Sequence, residues 1–172
     1  MPRWSTRAER PGTVQDQEAV RAINVAAFPT STEAELVDAL RTDPGTWIEG
    51  LSMLSLVDDG TPVGHALLTR CMVGGQPALA LAPCAVDPAY QRQGAGAAAI
   101  RAVLDAARDR GENLVVVLGH PDYYPRFDFT RASRLGVTAP FEVPDEAFMA
   151  LAMHPTQPTP RGEIRYPEAF GV

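Results

Sequence analysis

The chain has 172 residues, 45% of them hydrophobic and 21% charged, which is ordinary globular composition and enough length for one compact domain spanning residues 1–172. Its formal net charge of -6 and pI near 5.0 exclude broad nucleic-acid binding, which depends on a basic surface, so any anionic ligand must be held locally. No apolar run approaches the ~20 residues that cross a bilayer, and "MPRWSTRAERPG" has no apolar segment after its basic residues, so a cytoplasmic protein with no membrane contact is expected.

The first periodic segment is "VQDQEAVRAINVAAF", which places Val14, Ala19, Ile23, Ala26 and Ala27 near helical spacing. A second helix is predicted in "STEAELVDALR", with Ser31 or Thr32 as N-cap and Glu35 three residues after Thr32. Glu33, Glu35 and Asp38 read as a solvated face of that helix. From Leu51 the pattern changes to short apolar runs, "LSMLSLVDDGTPVGHALLTRCMV" and "PALALAPCAV", with turns at Asp59-Gly60 and Gly74-Gly75. A three-stranded antiparallel meander follows from this. Pro83 lies inside the last of these strands, where a missing N–H marks a bulge or an unpaired edge.

A long helix comes next, with Ile100, Val103, Leu104 and Ala107 on one face and Gly111 past its end. "NLVVVLG" is then an uncharged run of strand length, suited to a central strand covered on both faces. Strand, helix and strand make one parallel βαβ crossover. A short helix and terminal strands complete the order, and "GEIRYPEAF" could form the edge of a homodimer or close its own sheet.

The turn into the long helix, "YQRQGAGAAAIR", is nearly bare of side chains. A helix start exposes unpaired N–H groups and the positive end of the peptide dipole, which attract phosphate where no side chain intervenes. Gly94 and Gly96 meet that condition, Arg92 adds a positive charge, and Gln91 can hydrogen-bond without competing for an anion. A P-loop is excluded because no lysine stands here. The dinucleotide pattern G-x-G-x-x-A is matched from Gly94 to Ala99, with Asp122 as the ribose-binding acid, but "DPAYQRQ" separates the strand from the turn where that pattern needs direct passage. A dinucleotide-dependent oxidoreductase is therefore the weaker alternative.

With Gln91-Arg92-Gln93-Gly94-Ala95-Gly96 matching Q/R-x-x-G-x-G/A, "LAPCAVDPAYQ" before it and "GHPDYYPRFDF" after the next strand, the chain resembles the GNAT superfamily of acyl-CoA-dependent N-acyltransferases. The resemblance covers roughly residues 5 to 135. It implies an α/β fold with a mixed, mostly antiparallel central sheet, one parallel crossover and flanking helices. It implies acetyl-CoA as co-substrate, its diphosphate on the backbone amides of Arg92, Gln93, Gly94, Ala95, Gly96 and Ala97, and its pantetheine and acyl portions along Ala82, Cys84, Ala85 and Val86. It also places Tyr124 as the acid that protonates the leaving sulfur, with Tyr123 the alternative if the register slips. Asp128 stands where the family commonly has glycine, a position that asks for left-handed backbone.

The base is less defined, because residues 78–86 carry no carboxylate. His120 is the preferred candidate and His65 the other, since imidazole titrates near neutrality. Cys84 reads as an inert thiol, as does Cys71, and Arg126 as a surface partner of Asp122. No metal is implied. The expected activity is transfer of an acetyl group to a primary amine of an unidentified acceptor by direct attack in a ternary complex. A catalytically idle acyl-CoA sensor is the alternative from another class.

Overall fold

The computed structural model describes residues 4–172. Strand β1 (Ser5–Ala8) is followed by helices α1 (Val14–Ala27) and α2 (Thr32–Arg41). Strands β2 (Ser52–Leu56), β3 (Pro62–Val73) and β4 (Gln76–Val86) form the predicted meander. Helix α3 (Ala95–Asp109) then leads to β5 (Leu114–Leu118), and β6 (Thr130–Arg131), β7 (Val137–Thr138), β8 (Phe148–Ala152) and β9 (Gly162–Arg165) close the chain. The sheet runs β1-β2-β3-β4-β5-β8-β6, with β9 pairing the far end of β3 and also β7. Among the described residues, β4–β5 and the two-residue β7–β9 contact are the parallel pairs, and the rest are antiparallel.

Side-chain alternation along the strands sorts the core into layers. Leu79, Leu81, Val115 and Val117 face α3, which buries Ile100, Val103, Leu104 and Ala107 against them. On the opposite face, Leu54, Leu67 and Ala85 receive Val20, Ile23, Val37 and Leu40 of the first two helices. Farther along that face, Ala78, Ala80, Leu114 and Val116 pack with the C-terminal segment through Val137 and Ile164. The central strand is covered on both sides, as its uninterrupted apolar run requires.

The α3 boundaries follow local chemistry. Gly94 is left-handed at φ 96° ahead of the first turn, and Gly111, at φ 83°, ends the helix with its N–H on the Arg108 carbonyl. Ser31 is the N-cap residue of α2, one of the two expected, but its hydroxyl donates to the Glu35 carboxylate at 3.2 Å instead of capping a backbone amide. The short helix after β5 is a single 3-10 turn, Tyr124–Phe127. "GEIRYPEAF" closes its own sheet, through β9 against β3.

His65 is fully buried between the Asn24 amide, 3.1 Å from Nδ1, and the Ser52 hydroxyl, 2.9 Å from Nε2. Burial is the main reason its pKa falls to about 3. It is a neutral structural imidazole with no exposed surface and both ring nitrogens engaged, which disfavours it as a base.

Candidate active site

β4 and β5 begin side by side, with Leu79 opposite Val115 and Ala80 opposite Val116, and then part. Two features separate them. The β3–β4 register shifts between Ala66, opposite Cys84, and Leu68, opposite Leu81, so that Ala82 and Pro83 bulge from the ladder through a cis peptide bond. On the other side, β5 stays with β8, Val117 facing Met149 and Leu118 facing Phe148. Pro83 thus marks the bulge its missing donor predicts.

A cavity of about 510 Å³ fills the gap, reaching from the start of α3 to the end of α1 on the other face. Cys84, Ala85 and Val86 line it from β4, Gln91, Arg92 and Gly96 from the turn, and Gly119, His120, Tyr123 and Tyr124 from beyond β5. The end of α1 contributes Ala27 and Phe28. Ala82 does not reach this cavity. It lines a smaller one of about 240 Å³, on the other side of the bulge. The difference is the alternation of the strand, which turns Ala80 and Ala82 away from α3.

At the helix entrance the first backbone bond of α3 runs from Ala98 N–H to the Gly94 carbonyl at 3.0 Å. The amides of Ala95, Gly96 and Ala97 precede it, and no side chain or loop carbonyl among the described residues accepts from them. Gly96 faces the cavity, while Gln93 and Gly94 are exposed and Ala95 is buried against the sheet. A Cβ on Gly96 would meet Val86 Cγ2 at 3.0 Å and the Tyr123 hydroxyl at 3.6 Å, so the bare position keeps turn, strand and tyrosine together. Arg92 adopts φ 63° and is the single formal charge on the cavity walls, among the described residues. Gln91 is spent on structure, donating from Nε2 to the Val86 carbonyl at 3.1 Å.

Two residues at this site carry no signal in the sequence. The Trp4 indole N–H donates to the Gln93 carbonyl at 2.8 Å, and its ring meets Tyr90 edge-on. It braces the turn from 89 positions away along the chain, and no local spacing announces it. Gly119 is the second: a Cβ there would lie 2.4 Å from Tyr124 Cε2, so its bareness makes room for the ring. The run "LGHPDYY" contains that glycine, and only the tertiary approach explains it.

Tyr124 is half-buried and packs edge-on against Tyr123 and Phe129. Burial first, and the neighbouring Cys84 thiol second, hold its pKa well above the ordinary phenol value. It is a protonated donor at every physiological pH. Burial likewise pushes the Cys84 thiol up to about 12, so it is not a thiolate nucleophile. Tyr123 reaches the same cavity, and Arg126 sits over its ring at 4.3 Å while donating to its carbonyl at 2.8 Å. That geometry replaces the Asp122 partnership expected for Arg126. Asp128 is left-handed, φ 72°, as a glycine-like position demands. His120 is exposed on the rim, the imidazole nearest the gap.

Residues 17–127 match a family model described as the Acetyltransferase (GNAT) family. The chain is 39% identical over 136 residues to the uncharacterized N-acetyltransferase YjhQ of Escherichia coli, covering 76% of this chain and 74% of that one. It is 32% identical over 123 residues to the uncharacterized N-acetyltransferase YhbS of the same species, covering 69% and 70%. The crystal structure of E. coli YhbS in complex with CoA superposes with a TM-score of 0.88 at 26% identity, over 100% of this chain and 94% of that one. A GNAT acetyltransferase from Brucella melitensis in complex with acetyl-CoA gives 0.77 at 29% identity, over 99% of each chain.

Proposed function

The chain belongs to the GNAT family of acetyltransferases, and from that premise we propose that it moves an acetyl group from acetyl-CoA to a primary amine by direct attack, with no acyl-enzyme. The observation that carries this reading is the continuous path from the unpaired amides of α3, through the 510 Å³ cavity, to Tyr124 beside the parted strands. Relatives of the same fold bind CoA and acetyl-CoA.

In this reading the amides from Arg92 to Ala97 seat the diphosphate, and the Arg92 guanidinium adds a wall charge of the correct sign. Pantetheine lies along Cys84, Ala85 and Val86, whose edge β5 leaves free. Ala82, on the far side of the bulge, meets the acyl end. The amine nitrogen attacks the thioester carbon, forming the C–N bond; the C–S bond then breaks. Tyr124 donates its hydroxyl proton to the departing sulfur, and the nitrogen releases a proton toward His120 or water at the rim. The balance is one amine and one thioester giving one amide and one free thiol, with the tyrosine proton restored from the one the amine lost.

Thiol release measured with acetyl-CoA over a panel of amines tests the assignment. Tyr124→Phe should lower kcat by ~10²-fold or more, while acetyl-CoA still binds. An idle sensor predicts tight CoA binding, no turnover with any amine and indifference to that substitution. His120→Ala should lower kcat less than Tyr124→Phe does.

A further inference from the structure

The smaller cavity lies on the face of the sheet opposite α3, and the CoA reading touches it at Ala82 alone, where the acyl end arrives. Its floor is Ala80 and Ala82 of β4 with Val116 and Leu118 of β5. Phe141, Tyr166 and Phe170 form its wall. The aromatic rings are ordered against each other: Phe141 stacks on Tyr166 with centroids 6.2 Å apart and planes at 24°, and Tyr166 meets Phe170 at 5.1 Å. Leu118 is 47% exposed, although the four residues before it in β5 are buried. An exposed leucine ending a buried strand, over an aromatic wall, leaves apolar surface open to an apolar occupant.

Its position relative to the chemistry is fixed by the strands. The two cavities are divided on β4 by Pro83 alone, between Ala82 and Cys84, and on β5 they meet at Leu118 and Gly119. Two residues of extended chain span only ~7 Å, so a group seated in the smaller cavity is within a short linker of the gap between the strands. No charged side chain lines the smaller cavity among the described residues, and its phenol, Tyr166, is held protonated by burial. Val172 completes the wall, and a second ammonium placed there would lose its hydration with no acidic side chain to receive it, a cost that selects against di- and polyamines.

Resting on the acetyltransferase reading, we propose that the acceptor is a small monoamine whose amine is carried by a short linker on an aromatic ring or branched apolar body seated between Leu118 and Phe141. A volume of about 240 Å³ fits one ring with its linker and little more.

The test compares 2-phenylethylamine with 1,4-diaminobutane and Nα-acetyl-lysine amide in the thiol-release assay, alongside calorimetry with acetyl-CoA. The expected result is a kcat/KM for 2-phenylethylamine at least tenfold above either competitor. Phe141→Ala should raise its KM fivefold or more and leave the KM of acetyl-CoA unchanged. Leu118→Asp, which adds a carboxylate to the wall, should move the preference toward 1,4-diaminobutane; it serves as the second variant should the first lose its fold. Equal rates for all three amines, or a KM unmoved by substitution in folded protein, would overturn the acceptor assignment. Acetyl-CoA that binds without any amine being turned over also overturns it, whereas failure of acetyl-CoA to bind removes the acetyltransferase reading itself.

Discussion

Tyr124 owes its place to a missing side chain. The 2.4 Å approach of its ring to the Cβ direction of Gly119 means that Gly119→Ala must push the phenol away from the gap or tilt it. Because reacting groups misplaced by ~1 Å cost up to ~10²-fold, Gly119→Ala is expected to lower kcat at least tenfold with acetyl-CoA affinity little changed. A steady-state titration with each substrate in turn checks it, and an unchanged kcat would show that the ring has room. Sequence reasoning reached Tyr124 through the family segment and missed Gly119, since the need for bareness is created by the folded neighbour. Arg126 misled for the same reason: an acid four residues away looks like a partner until a ring and a carbonyl are nearer.

At the scale of elements, α3 is the piece most fully written in the sequence. Its apolar stripe, its glycine entrance and its glycine exit all appear as the period predicts, and the first of them aims the helix start at the gap. Leu104, 4% exposed against the sheet, is a direct probe of that packing. Leu104→Ala is expected to cost ~2–5 kcal/mol, read as a fall in the midpoint of chemical denaturation, with catalysis per folded molecule unchanged. The meander and the central strand were equally legible, because alternation and continuous apolarity are local signals. β1 was not: three of its four residues, Ser5, Thr6 and Arg7, are polar, none of the four is fully buried, and they become a strand only because β2 offers an edge. β6 and β7, two residues each, are likewise products of pairing and carry no period of their own.

Across the whole molecule, buried polar groups set how stability responds to acid. His65 is neutral in the fold with its pKa near 3, whereas in the unfolded chain it titrates at ~6.5, so below ~6.5 the unfolded state binds the extra proton. Stability should therefore fall as pH drops from ~6.5 toward 3, by at most ~1.4 kcal/mol per unit from this residue. Asp16 acts in the same direction at lower pH. The Arg7 guanidinium, helped by Arg10, holds its carboxyl well below the usual range, so its contribution is intact above ~4 and lost as pH falls further. Urea titrations from pH 7.5 to 4.5 check this: His65→Gln should flatten the slope between 6.5 and 4.5, and an unaltered slope would mean that other groups carry it. None of this was readable beforehand, since Asn24, Ser52 and His65 meet only in the closed sheet.

The same closure brings a bare helix entrance to the mouth of a gap between two strands, and the account stands on what that mouth holds. The most direct measurement is a calorimetric titration of CoA into the wild-type protein and into Gly94→Val, with circular dichroism confirming that both are folded. Gly94 is left-handed at φ 96°, so valine strains the turn that presents the amides. The expected result is one CoA per chain with the wild type and at least tenfold weaker binding with the variant; no heat at millimolar CoA, or equal affinity in both, would contradict it.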